Sequence, residues 1–289
     1  MRHETWSISE NVRLECYLHE EQSPQRPAMI VCPGGGYMML TYDEGEPVAM
    51  RFFAEGYQAF VLHYPIGEDA AWPNATQAAL QAIAKVRENA KLWNIRTDAL
   101  GILGFSAGAH VAATTGTFFD VPEVTNGLDE SIAPPNAMCL IYPVIGAKMP
   151  LTGSEQQSTT IVYCDQAVSP DTPPTFLATT YGDTLVSCDQ ALNMAQALSK
   201  HDVPFELHCF QPGNHGALNG GGLPGTETCR NIGLTSWFPL CLDWLADLFG
   251  PVSPSSPPPD FGEMEEPPPF STIRDHMDYY DIQPFVSPQ

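Results

Sequence analysis

Short, nearly continuous apolar runs alternate along the chain with longer stretches in which apolar residues return every three or four positions. The runs over 12–18, 28–32, 59–63, 99–103, 137–142, 175–179 and 205–210 predict strands. Unbroken apolar character fits strands covered on both faces, so the sheet they form is expected to be mostly parallel. Between them, 46–55, 76–93, 107–118, 189–200 and 234–249 predict helices. In the second of these, Leu80, Ile83, Val86, Ala90 and Trp93 fall on one face. Strands alternating with helices define an α/β class, a mostly parallel central sheet with helices on both faces.

The pattern stops after Gly250. The segment PVSPSSPPPDFGEMEEPPPF is proline, serine and acid, a composition that cannot build a core. The reading is one folded domain over 1–250 and a proline-rich acidic tail over 251–289. The end of that tail regains Tyr279, Tyr280 and Phe285. A purely solvating acidic tail lacks aromatics. Its end is therefore expected to dock, on its own domain or on a second copy in a homo-oligomer. The alternative is a disordered tail with incidental rings.

Charge narrows the partners. The formal net charge is -22, from 12 Lys+Arg against 34 Asp+Glu. Such a surface repels phosphate backbones and anionic lipid, which excludes nucleic acid and membrane surfaces and suits a neutral substrate. No run approaches the roughly 20 apolar residues of a membrane span. The polar start MRHETWSISENVRLECYL lacks the apolar core of a signal peptide. Three of the eight cysteines, Cys32, Cys139 and Cys209, sit inside strand-like runs, and no pair has C-x-x-C spacing. Reduced, structural cysteines and a cytoplasmic protein are the expectation.

The chemistry begins at Gly104-Phe105-Ser106-Ala107-Gly108, between an apolar strand and an alanine-rich helix. A serine on so sharp a turn is exposed at the carboxyl edge of a sheet, and flanking glycines remove the clashes that the turn would cause. Ser106 is the candidate nucleophile. A serine needs a base, and His215, in Pro212-Gly213-Asn214-His215-Gly216 beyond the last predicted strand, is best placed. His63, His110 and His208 read as structural. The imidazole in turn needs a carboxylate, and Asp183, in the loop after the 175–179 strand, lies at the same edge. The order Ser, Asp, His is that of the α/β-hydrolase fold. Pro33-Gly34-Gly35-Gly36-Tyr37 follows the 28–32 strand and offers backbone N–H groups to an oxyanion, with Ala107 as the other donor. No Gly-Lys-Ser/Thr follows these glycines and the spacing is not G-x-G-x-x-G, so they are neither a phosphate loop nor a dinucleotide fingerprint.

With these motifs, together with Glu44-Gly45-Glu46-Pro47-Val48-Ala49, Leu103 to His110, Pro170 to Leu177 and Gly213-Asn214-His215-Gly216, the chain resembles bacterial α/β-hydrolases of the acetyl-esterase and acetylxylan-esterase-like branch, akin to the hormone-sensitive-lipase-like esterases. The resemblance implies hydrolysis of carboxylic esters, often acetyl groups on sugars. It assigns Ser106, Asp183 and His215 as triad, and Ala107 with Gly35 or Gly36 as oxyanion donors. Pro33 stands where relatives with an HGGG loop carry histidine, which leaves the anchoring of that loop open. No cofactor and no metal are expected; Asp275, His276, Asp278 and Asp281 read as a solvated acidic run. Pocket residues are expected from 38–42, 144–169 and the loop after His215. The leading reading is a small-acyl serine esterase on a small-molecule or carbohydrate ester. The alternatives are a peptidase or amidase on the same triad, and a non-catalytic binding protein that kept the fold.

Overall fold

A computed structural model describes residues 1–20, 24–125, 133–146, 161–211, 213–216 and 234–252. They belong to one compact unit, Met1–Ser255. The 251–289 tail lies outside the described residues except for Pro251 and Val252.

Eight strands form one sheet: β1 (Arg2–Ser9), β2 (Val12–Leu18), β3 (Arg26–Cys32), β4 (Gln58–His63), β5 (Ile95–Phe105), β6 (Ala137–Ile141), β7 (Thr175–Thr180) and β8 (Phe205–Phe210). Their order is β1-β2-β4-β3-β5-β6-β7-β8. The first two strands run antiparallel, and from β4 to β8 every pairing is parallel. The helices are α1 (Glu46–Ala54), α2 (Asn74–Glu88), α3 (Ala107–Thr117), α4 (Pro122–Thr125), α5 (Asp189–Lys200) and α6 (Leu234–Phe249). The expected α/β architecture is what the chain adopts.

The strand alternation divides the core in two. Ala28, Ile30 and Cys32 face one side with buried residues of α2, α3 and α5. Met29 and Val31 face the other, with α1 and α6. Both faces of β3 are therefore covered, which is why its apolar run is unbroken.

Three elements differ from expectation. β1 is absent from the sequence reading because it is not an apolar run: its burial alternates residue by residue, as suits an edge strand with one wet face. Trp6 on its inner side meets Trp93 edge-on at 5.4 Å. The helix expected over 76–93 starts at Asn74 and stops at Glu88. Ala90 and Trp93 are still buried, but in a turn closed by Asn94 at φ 54°. The short α4 carried too little periodicity to be seen.

The strand order places the site. From β3 the chain crosses through α1 to β4 on one side, then through α2 to β5 on the other. A crevice opens at such a reversal, outside the carboxyl ends of the two strands. The glycine loop leaves β3 there, and Ser106 leaves β5. Among the described residues no helix is long and apolar enough to cross a membrane.

Candidate active site

Ser106 sits between β5 and α3 at φ 51° and ψ -115°. A non-glycine residue there carries roughly 1–3 kcal/mol of backbone strain, held by its surroundings. Its N–H donates to Ile141 O (3.0 Å), and its carbonyl accepts from His110 N (3.2 Å) and Val144 N (3.2 Å). The flanking glycines are dictated by packing. A Cβ on Gly104 would overlap the carbonyl of Gly108, and one on Gly108 would overlap the carbonyl of Cys32. β5, α3 and β3 meet too closely here for any side chain.

Three loops bring the other groups to Ser106. His215 Nε2 lies 2.9 Å from Ser106 Oγ, and His215 Nδ1 lies 2.7 Å from Asp183 Oδ2. The other Asp183 oxygen accepts from Leu185 N and Val186 N, both at 2.9 Å. That carboxylate is buried, and two backbone donors fix its rotamer. Asn214 joins the Asp183 and His215 loops: its Oδ1 accepts from Thr184 N (3.2 Å), Thr184 Oγ1 (3.0 Å) and His215 N (2.8 Å). The loops approach so closely that a Cβ on Gly182 would lie 2.8 Å from Gly213 O.

The glycine loop passes beside Ser106, where a Cβ on Gly34 would lie 3.1 Å from Ser106 Cβ. Gly35 and Gly36 have φ of 124° and 63°, and Tyr37 follows at 62°. Side chains from distant segments hold this path. Tyr64 O–H donates to Pro33 O (2.6 Å). Tyr37 O–H lies 2.6 Å from His110 Nδ1, while His110 Nε2 lies 2.9 Å from Val162 O. Burial pushes the His110 pKa down to about 4, so the ring is a neutral strut. The N–H of Gly34 donates to Glu44 Oε2 (2.7 Å), which turns that donor away from the crevice. Ala107 opens α3, so its N–H lies in a helix's first turn, where no intrahelical acceptor exists and the dipole favours negative charge.

The structure thus brings Ser106, His215 and Asp183 into one hydrogen-bonded chain, with Ala107 next to Ser106 at the start of α3 and Gly35 and Gly36 in the loop after β3. His63 ends β4 beside Glu15 (3.0 Å), and His208 on β8 pairs with Glu206 (2.6 Å); neither is hydrogen-bonded to the three residues among the contacts of the described residues. Two residues there went unrecognised in the sequence. Glu44 is buried and also accepts from Thr41 Oγ1 (2.5 Å) and from Tyr142 O–H (2.6 Å). Tyr142, at φ 36° beyond β6, sets its ring 4.9 Å from that of His215 at 65°. An acid just before Gly45-Glu46-Pro47 was visible as part of a motif, but nothing local marks it as buried. Of the expected pocket residues, 147–160 and 217–233 lie outside the described residues. Among the described residues no cluster of His, Cys, Asp or Glu is placed to hold a metal ion.

This geometry has relatives. Residues 14–137 match the BD-FAE family. Endo-1,4-beta-xylanase B of Butyrivibrio fibrisolvens is 33% identical over 217 residues, 70% of this chain and 34% of the relative. The acetylxylan esterase of Xylanibacter ruminicola is 34% identical over 136 residues, 46% of this chain and 25% of that protein. The chain thus spans about a third or less of the length of these relatives. The crystal structure of an acetyl ester-xyloside bifunctional hydrolase from Caldicellulosiruptor lactoaceticus is 33% identical with a TM-score of 0.73, covering 86% of this chain and 97% of that one. The chain belongs to the α/β-hydrolase enzymes. Within them it falls in the esterase branch that resembles acetylxylan esterase.

Proposed function

We propose that the chain is a serine-dependent carboxylic-ester hydrolase that removes small acyl groups, foremost acetyl, from carbohydrate esters through an acyl-enzyme. The observation that carries this reading is the continuous relay from Ser106 Oγ through both nitrogens of His215 to Asp183, at 2.9 and 2.7 Å. In the proposed cycle Ser106 Oγ attacks the ester carbonyl while His215 Nε2 takes its proton. Asp183 holds the Nδ1–H tautomer and stabilises the imidazolium. The carbonyl oxygen, now negative, lies among the N–H groups of Ala107, Gly35 and Gly36. Collapse expels the alcohol, which receives the proton from His215. Water, activated by the same imidazole, then releases the acid and restores Ser106.

A neutral sugar ester suits the charge of -22, and the likeness to an acetylxylan esterase and to an acetyl ester-xyloside hydrolase supports a carbohydrate as the alcohol. We also assign the protein to the cytoplasm. Cys16, Cys32, Cys139, Cys164 and Cys241, buried and outside any disulfide, support that reading. The test is Ser106→Ala with a panel of acyl esters and acetylated sugars, alongside labelling by a fluorophosphonate. Wild type is expected to take the probe at Ser106 and to release acetate. The variant is expected to do neither, with turnover lower by about 10⁶-fold. Near-wild-type hydrolysis by Ser106→Ala would overturn the reading.

A further inference from the structure

We infer that Glu44 is a positioning residue for the proposed ester cleavage, holding the glycine loop and the His215 ring in one frame; this rests on Ser106 being the nucleophile. Glu44 is 4% exposed, and its carboxylate lies between two parts of the site. One oxygen accepts from Gly34 N–H (2.7 Å) and Thr41 O–H (2.5 Å), both in the glycine loop. The other accepts from Tyr142 O–H (2.6 Å), whose ring lies against the His215 imidazole.

Gly34 shows how close this carboxylate is to the chemistry. A Cβ built there would lie 2.5 Å from Glu44 Oε2 on one side and 3.1 Å from Ser106 Cβ on the other. One glycine therefore separates Glu44 from the nucleophile. His215 already accepts the Ser106 proton, so Glu44 has no proton to move. Its role is geometric. By drawing Gly34 N–H down it turns the following peptides, at Gly35 and Gly36, toward the crevice. By holding Tyr142 it supports the ring that flanks His215. Hydrogen bonds to an ionised acceptor are roughly twice as strong as neutral ones, which suits a loop whose left-handed residues store strain. This fills the anchoring role left open by Pro33, where HGGG relatives carry histidine. It also explains why Tyr142 ionises only well above the ordinary phenol range, through burial and the adjacent Glu44 carboxylate.

The experiment compares Glu44→Gln, Glu44→Ala and Tyr142→Phe with wild type. It reads melting temperature, kcat and KM on a small acetyl ester, and the rate at which Ser106 takes a fluorophosphonate. Gln keeps the volume and one oxygen acceptor, so it decides the matter even if Glu44→Ala does not fold. Glu44→Gln is expected to lower kcat about tenfold and Glu44→Ala about 10²-fold, as for a small displacement of catalytic groups. KM is expected to stay within about threefold, because the loss falls on the transition state. Probe labelling is expected to slow in step. Glu44→Gln with kcat and labelling at wild-type rates overturns the inference. So does a loss that vanishes once rates are expressed per folded, probe-titrated site, since that marks a purely structural residue. Esterase activity surviving in Ser106→Ala sinks the functional reading instead, and the two failures are read in different variants.

Discussion

The nucleophile elbow and the glycine loop lie side by side at the head of β5 and β3, yet they are fixed by different means. The elbow is made by backbone. Two glycines four residues apart let β5, α3 and β3 close on one another, and the strained serine follows from that contact. The loop is made by side chains. Its path depends on Glu44, Tyr64 and His110, whose partners lie 10, 31 and 73 residues away along the chain. A backbone-built turn fails by steric overlap. A loop held by separate hydrogen bonds loses its geometry in increments. The catalytic relay is expected to respond steeply to substitution, and the loop by degrees.

The steepest test on the relay side after Ser106 itself is Asp183→Asn. One carboxylate oxygen accepts from the N–H groups of Leu185 and Val186. The amide oxygen of asparagine takes that position and turns its NH₂ toward His215 Nδ1. The imidazole must then carry its proton on Nε2, facing Ser106, and cannot act as base. Turnover at neutral pH is expected to fall about 10⁴-fold with little change in melting temperature. A loss of only a few fold, measured on a small acetyl ester, would put the relay in the same graded class as the loop.

That contrast also accounts for what could be read from the chain alone. Ser106, Asp183 and His215 each follow their own strand, in a local setting of glycines and apolar runs, so position along the chain was enough to single out three residues that the structure hydrogen-bonds together. Gly35, Gly36 and Ala107 were put forward as oxyanion donors on the same ground. Glu44 and Tyr142 were not, since their contact spans 98 residues and exists only once β6 lies beside β5. β1 escaped for a related reason: an edge strand with one wet face shows alternation among charges rather than an apolar run. The early end of α2 turns on Asn94, whose left-handed backbone is a local choice that periodicity does not reveal.

The loop side can be probed through His110. In the unfolded chain this histidine titrates near its ordinary 6.5, whereas burial in the folded protein pushes it down to about 4. Between these values the unfolded chain holds a proton that the folded chain lacks. Stability is therefore complete above 6.5 and falls as the pH drops toward 4. The shift corresponds to about 3 kcal/mol. Urea melts across this range are expected to show that slope in wild type and a shallower one in His110→Gln. His63, also depressed by burial, contributes equally to both proteins and cancels in the difference. Equal slopes would mean that His110 is not the neutral strut under Tyr37.

The smallest effect is expected at Asn214, between the two loops that carry the rest of the relay. Its side-chain oxygen collects Thr184 N, Thr184 Oγ1 and His215 N, and so ties the loop of the acid to the loop of the base. The Thr184 contacts are exposed, so water replaces the lost acceptor there in Asn214→Ala, and only the half-buried His215 N–H loses its partner. The cost is then the looser placement of His215, about 1 kcal/mol or several fold in kcat/KM. The loss should appear in kcat, because the substrate's own contacts are untouched. Asn214→Asp restores an acceptor at the same place and is expected to recover most of the rate. Its extra negative charge beside the imidazole favours the protonated ring, so the acidic limb of its kcat/KM profile should move to higher pH. Recovery of rate with that upward displacement identifies the acceptor as what matters. An Asp variant as slow as Ala would show that the amide's shape, and not its oxygen, joins the two loops.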